Sequence, residues 1–215
     1  MIITIDGPAG AGKSTVARAL ARRLGFRFLD TGAMYRAVAL AGLRQGLDWD
    51  VPGDLARLAQ TLDIRIENDR IHLNGEDVTE TVRSTEVTAV TRYAAQNPVV
   101  REHLVALQRQ VAGKENLVTE GRDQGTVVFP NAELKIFLTA SPGERARRRL
   151  HDLQSQGEPV TLEQVLAAQE RRDREDAERA VGPLVAASDA VEVCTDGMTL
   201  DEVVSKLENM ARSRI

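Results

Sequence analysis

Gly7-Pro8-Ala9-Gly10-Ala11-Gly12-Lys13-Ser14-Thr15 satisfies G-x-x-x-x-G-K-[ST] at every position. The flanking residues supply the context this pattern needs. Ile2-Ile3-Thr4-Ile5 reads as a short β-branched strand, and Val16, Ala17, Leu20, Ala21 and Leu24 recur at helical spacing up to a stop at Gly25. Three glycines let successive backbone N–H groups turn inward around an anionic phosphate, and the following helix adds the positive end of its dipole. Lys13 is then placed to bridge the β- and γ-phosphates of a nucleoside triphosphate, and the Ser14 hydroxyl to ligate Mg²⁺. A glycine turn that only packed a helix against a sheet would have no use for lysine and serine at the next two places.

Further along, short apolar strands alternate with helices. Phe26 to Leu29 predicts a second strand, and Asp30-Thr31-Gly32 opens a helix to about Leu43. Between Leu62 and Val78 the period switches to two: Ile64, Ile66, Ile71 and Leu73 alternate with polar residues around turns at Asn68-Asp69 and Asn74-Gly75, which predicts a small antiparallel meander. A helix is expected from about Pro98 to Ala112, then strands at 117–119 and 134–138, and a helix with Ser141 as cap and Pro142 at its first position. Thr161 with Gln164 and Thr199 with Glu202 form capping boxes for two later helices, with a strand at 191–194 between them. Five apolar strands separated by helices specify an α/β fold, a doubly wound parallel sheet with helices on both faces, whose ligands bind beyond the carboxyl ends of the strands.

Composition narrows the partners. The 215 residues carry 28 basic and 32 acidic side chains, a net charge of −4, and aromatic residues make up only 3%. A binder of polymeric nucleic acid usually shows a basic excess and aromatic stacking platforms, so DNA and RNA are poor candidates. No apolar run reaches the roughly 18 residues of a membrane helix and the first residues do not resemble a secretory leader, which makes the cytoplasm the expected compartment. The single cysteine, Cys194, is expected in the core, inside the apolar run at 191–194. His72, His103 and His151 are isolated and suggest neither a metal site nor a triad. A chain of this size builds a core by itself, so a monomer is expected.

Nucleotide binding leaves the reaction open. The guanine-reading N-K-x-D of switch GTPases is absent from the sequence, and the strand at 117–119 continues into Glu120-Gly121-Arg122-Asp123 rather than the apolar-run-Asp pattern of an ATPase motor. Arginine beside a transferring phosphate stabilises charge, and an acceptor that itself carries phosphate needs several. Arg36 and Arg122 each follow a strand's carboxyl end, Arg101 lies past Pro98, Arg145, Arg147, Arg148 and Arg149 crowd one helix, and Arg171, Arg172, Arg174 and Arg179 flank a charged loop. For any one member of the 145–149 cluster taken alone a solvated helix face is an equally good reading, and the 170–176 stretch has the pattern of a salt-bridged helix. The set points to kinase-type transfer.

With these residues assembled, the sequence resembles the bacterial cytidylate kinases over nearly its whole length. The resemblance rests on Ile3 through Thr15, on Leu29-Asp30-Thr31-Gly32-Ala33-Met34-Tyr35-Arg36, on Gly121-Arg122-Asp123-Gln124-Gly125-Thr126-Val127-Val128-Phe129-Pro130, on Glu144-Arg145-Ala146-Arg147-Arg148-Arg149, and on Arg172-Asp173, Asp176 and Arg179-Ala180-Val181-Gly182-Pro183-Leu184. It implies a P-loop kinase with ATP as donor, Mg²⁺, and CMP or dCMP as acceptor. By the same resemblance Gly7 to Thr15 hold ATP, and Lys13, Arg122, Arg145 and Arg149 serve the transferring phosphoryl group. Thr31, Tyr35 and Arg36 line the acceptor site, Arg101 and Asp123 read the cytosine edge, Arg122 binds acceptor phosphate, and Arg172, Asp176 and Arg179 hold sugar and phosphate. A carboxylate such as Asp123 accepts from the exocyclic amine that uracil lacks.

The implied organisation is one kinase unit: core at 1–30, 113–142 and 180–215, a monophosphate-binding region at 31–112 with its β insert near 62–80, and a helical lid with flanking helices at 143–179. The lid would close to exclude water. Two positions depart from the family's pattern: Arg92 stands where a base-contacting serine aligns, with Thr91 one place earlier, and Gln124 replaces a methionine. Two other readings stay open at this point. One keeps the chemistry with UMP, AMP or another small phosphorylated acceptor. The other is a nucleotide-binding regulatory module with little turnover.

Overall fold

The fold, seen in a computed structural model, is described for residues 1–215 except 68, 156 and 215. In chain order its elements are β1 (Ile2–Asp6), α1 (Lys13–Leu24), β2 (Arg27–Asp30), α2 (Thr31–Arg44), α3 (Pro52–Thr61), β3 (Ile64–Glu67), β4 (Arg70–Leu73), β5 (Glu76–Asp77), α4 (Thr85–Gln96), α5 (Pro98–Ala112), β6 (Leu117–Gly121), β7 (Leu134–Thr139), α6 (Pro142–Ser155), α7 (Leu162–Ala177), β8 (Val191–Cys194) and α8 (Leu200–Arg212). A 3₁₀ turn lies at Thr81–Arg83 and a π-helical turn at Gln124–Val128. The chain divides into two compact units, Met1–Phe28 with Glu115–Ile215, and Leu29–Lys114.

The larger sheet runs β2-β6-β1-β7-β8. Its ladders β1–β6, β1–β7 and β7–β8 are parallel. Ile3 and Ile5 point to the face covered by Val16 and Leu20 of α1 and by Val203, Val204 and Leu207 of α8, one continuous core. Thr4 and Asp6 alternate to the other face and are equally buried, which is how a parallel strand covered on both sides can carry polar groups. Both capping boxes form: Thr161 accepts from Gln164 N–H, Thr199 accepts from Glu202 N–H, and each partner side chain reaches back to the cap. A smaller cluster of Ala146, Leu153 and Val165 joins α6 to α7.

In the second unit Asp30 caps α2 by accepting from Ala33 N–H at 3.0 Å. Ile64 and Ile66 on β3 pair with Leu73 and Ile71 on β4, all four buried, while Arg65 and Glu67 face outward as the two-residue period requires. Asn74 and Gly75 both have positive φ, 51° and 84°, the left-handed pair that joins β4 to β5. Of the other expected turn, Asn68 lies outside the described residues.

Two expectations are corrected. Cys194 is exposed: β8 is the edge strand, and its alternation turns Val193 into the core and Cys194 out. Arg171, Arg172 and Arg174 flank no loop; α7 runs on to Ala177, and the charged stretch forms its last turns. The helices α3 and α4 fall in segments for which the sequence offered no assignment.

Candidate active site

The phosphate loop leaves β1 through a gap that admits no side chain. Gly7 has φ 148°, and a Cβ there would stand 2.0 Å from the backbone oxygen of Leu138 on β7. Gly12, at φ 86°, is the N-cap of α1, and among the described residues no side chain caps the helix's first N–H groups. They are left for an anion. Lys13 is 6% exposed and its Nζ donates to Pro8 O at 2.8 Å. Burial pushes its pKa down to about 7, with Arg122 and Arg172 adding to the effect and Glu120 and Asp6 opposing it. An ammonium in that condition fits an anionic phosphate. Ser14 Oγ donates to Glu120 Oε1 at 2.8 Å, so a hydroxyl and a carboxylate meet as the hard oxygen donors that suit Mg²⁺.

The turn after β6 presents a second charged cluster. Arg122 Nε donates to Asp176 Oδ2 at 2.7 Å, its Nη1 donates to Gly121 O at 3.2 Å, and Arg179 Nη2 donates to Asp176 Oδ1. Burial disfavours the charges on Arg122 and Asp176, but their mutual attraction outweighs it, raising the arginine's pKa and holding the carboxyl below its usual range. Asp123 is buried beside them. Gln124, the departure from the family pattern, is buried under the turn, where its Oε1 accepts from Thr119 Oγ1 at 3.0 Å. Arg172 is exposed on α7, within electrostatic reach of Lys13 and Asp176.

The arginines of α6 divide by what they touch. Arg145 is buried, donating to Ala140 O, to Ala9 O of the phosphate loop and to Asp173 Oδ2 at 3.0, 3.0 and 2.7 Å. Arg148 bonds Glu144 and Thr195. Arg147 pairs with Glu144, and Arg149 is exposed.

In the second unit, Thr31 is the buried first residue of α2 and Tyr35 lies one turn further along it. Arg101, 2% exposed on α5, sets its guanidinium 5.6 Å from the Tyr35 ring centre and donates to Ala95 O at 3.3 Å. Arg36 Nη1 donates to Thr88 Oγ1 at 2.6 Å and to Val82 O at 3.3 Å. Arg92 is exposed and lies on Tyr93, 4.9 Å from the ring centre, while Tyr93 stacks on Trp49 at 5.2 Å. The Thr91 hydroxyl donates to Val87 O at 2.7 Å.

Sequence reasoning assigned no role to Glu120, Asp173 or Thr88, which bond Ser14, Arg145 and Arg36, or to Asp6, which bonds the turn that follows Asp123. Glu120 carried a usable signal, standing at a strand's carboxyl end. Asp173 lay beside a predicted residue inside a quoted motif. Asp6 likewise lay beside Gly7 inside a quoted motif, though its partner is 118 residues away, and for Thr88 no local pattern marks the partner.

Known proteins resemble the chain over nearly its whole length. The family model described as cytidylate kinase matches residues 3–213. A cytidylate kinase of Rhodopirellula baltica is 53% identical over 212 residues, covering 99% of this chain and 93% of the relative. One of Pelotomaculum thermopropionicum is 52% identical, covering 95% and 93%. A bifunctional pantoate ligase/cytidylate kinase of Synechococcus elongatus matches 99% of this chain with 42% of its own length, at 49% identity. Among solved structures, shikimate kinase of Bacteroides thetaiotaomicron superposes with a TM-score of 0.50 over 99% of this chain and 98% of its own, at 16% identity, a likeness of fold. By sequence over its whole length, the chain belongs to the cytidylate kinase family.

Proposed function

We propose that this protein transfers the γ-phosphoryl group of ATP to CMP and dCMP, yielding ADP with CDP and dCDP, as a cytoplasmic monomer in pyrimidine nucleotide metabolism. The observation that carries the reading is the buried Lys13 ammonium, at a helix N-terminus that Gly12 leaves without a side-chain cap and within electrostatic reach of the Arg122 and Arg172 guanidinium groups. Positive charge gathered in this way is relieved by phosphate, and an acceptor that itself bears phosphate accounts for arginines beyond the loop.

The roles follow from the groups. The loop at 7–15 and Lys13 hold the triphosphate, and Ser14, supported by Glu120, would hold Mg²⁺, which when bound neutralises phosphate charge. An acceptor phosphate oxygen attacks the γ-phosphorus in line while the bond to the β–γ bridging oxygen breaks and ADP leaves. Arg122 and Arg149 are assigned to the charge on the transferring and acceptor phosphates, and Arg145 to bracing the loop through Ala9. Asp123 and Arg101 are assigned to the cytosine edge, Thr31, Tyr35 and Arg36 to the acceptor, and Arg172, Asp176 and Arg179 to its sugar and phosphate. Residues 31–112 then form the monophosphate-binding region and 143–179 a lid that excludes water.

An ADP-release assay with ATP and Mg²⁺ tests this, run in parallel with CMP, dCMP, UMP, AMP and no acceptor. CMP and dCMP should accelerate release above all others, and Arg36→Ala should weaken CMP handling more than ATP binding. Equal or faster use of UMP would overturn the cytosine assignment, and CDP formation undiminished in both Lys13→Ala and Arg36→Ala would overturn the assigned roles.

A further inference from the structure

Asp6 is a carboxylate 5% exposed on the polar face of β1, and the functional reading above gives it nothing to do. Its Oδ1 accepts from Gln124 N–H at 2.8 Å and its Oδ2 from Gly125 N–H at 2.7 Å. These are the first two donors of the π-helical turn, for which the preceding residue, Asp123, provides no side-chain cap. A strand therefore caps a turn 118 residues away in the chain. The turn sits directly on the sheet: a Cβ at Gly125 would stand 2.9 Å from Thr4 Oγ1 and 3.2 Å from Lys135 Cδ.

The backbone of Asp6 does a second job. In the parallel ladder Asp6 is the register partner of Gly121. Arg122 and Asp123 are the two residues between Gly121 and Gln124, so both ends of that dipeptide are tied to one residue, and that residue directly precedes Gly7. We infer that Asp6 is a positioning residue that fixes Arg122 and Asp123 against the phosphate loop. Burial raises its carboxyl pKa to about 6 even though both N–H groups act in the opposite direction, so the charge is disfavoured where it stands.

The inference rests on the proposed function, and Asp6→Asn tests it in the full-length protein. The amide keeps the size and one acceptor but turns an NH₂ group toward one of the two N–H donors. The expected result is a KM for CMP raised at least tenfold, a KM for ATP within twofold of the parent, and faster amide hydrogen exchange at Gln124 and Gly125. An equal rise in both KM values would place the effect of Asp6 on Lys13 and overturn the inference. A lowered melting temperature with both KM values unchanged would make Asp6 structural only and overturn it too. Should Asp6→Asn not fold, Asp6→Glu, which keeps both acceptors and shifts them by one methylene, is read by the same criteria; failure of both to fold would show a folding role instead. CMP-independent ADP release by the parent protein would sink the functional reading itself, and the exchange rates at Gln124 and Gly125 would still report on the clamp.

Discussion

Replacing Lys13 by methionine should make the nucleotide-free protein more stable while abolishing ATP binding. Burial lowers the lysine pKa from 10.5 to about 7, so the unfolded chain keeps its proton up to 10.5 while the folded protein gives it up at about 7. Between those values the unfolded state binds more protons, and stability rises with pH. Below about pH 7 the folded state therefore carries the whole penalty, about 5 kcal/mol at about 1.4 kcal/mol per pKa unit. Lys13→Met keeps the buried stem, removes the charge and loses the hydrogen bond to Pro8 O, worth about 1 kcal/mol. The net gain is about 3–4 kcal/mol, or roughly 10 °C in melting temperature for a chain of this length. Thermal denaturation in buffer free of phosphate and sulfate would be followed at about pH 6 and about pH 9, with ATP binding measured by calorimetry; the gain should be full at the lower pH and much reduced at the higher. A variant no more stable than its parent at the lower pH, or a gain independent of pH, would refute the argument that this ammonium is held at a cost until phosphate arrives.

Other outcomes follow from single contacts. Asp176→Ala leaves Arg122 and Arg179 without their shared carboxylate and should cost about 3–5 kcal/mol in urea denaturation. Because the Asp176 pKa is depressed in the folded protein, its contribution is present above the ordinary carboxylate range and is lost as pH falls through the depressed value. Gly7→Ala should cost at least about 3 kcal/mol, since the added methyl meets Leu138 O and the backbone cannot relax; a soluble variant of parental stability would contradict that geometry. Cys194 should react with a maleimide in the native protein within about tenfold of its rate in denaturant; protection until unfolding would contradict its outward register.

What could be read from the sequence was local. A loop that needs glycine, a helix that begins at a capping box and a strand of alternating isoleucines are each set by residues within a few positions of one another, and the phosphate loop, the meander and both capping boxes stand where the sequence places them. Local signals also misled. The apolar run at 191–194 marks a strand but not that it lies at the edge, and edge position together with register turned Cys194 outward. In 171–174, charge density alone did not separate a loop from the last turns of a helix.

The partnerships of the candidate site belong to the tertiary structure. Ser14 meets Glu120 across 106 residues, Asp6 meets Gln124 across 118, and Arg122 meets Asp176 across 54. For the first two, the parallel pairing of β1 with β6 brings the strand ends together, and a shift of one residue would turn Asp6 away from the turn it caps. Sequence by itself determined that this chain would build a glycine-rich loop between the first strand and first helix of an α/β sheet. Which carboxylates meet Ser14, Arg122 and Arg145 was decided only by strand register and helix packing, because a buried charge takes its partner from whatever the fold brings within about 3 Å, wherever that lies along the chain.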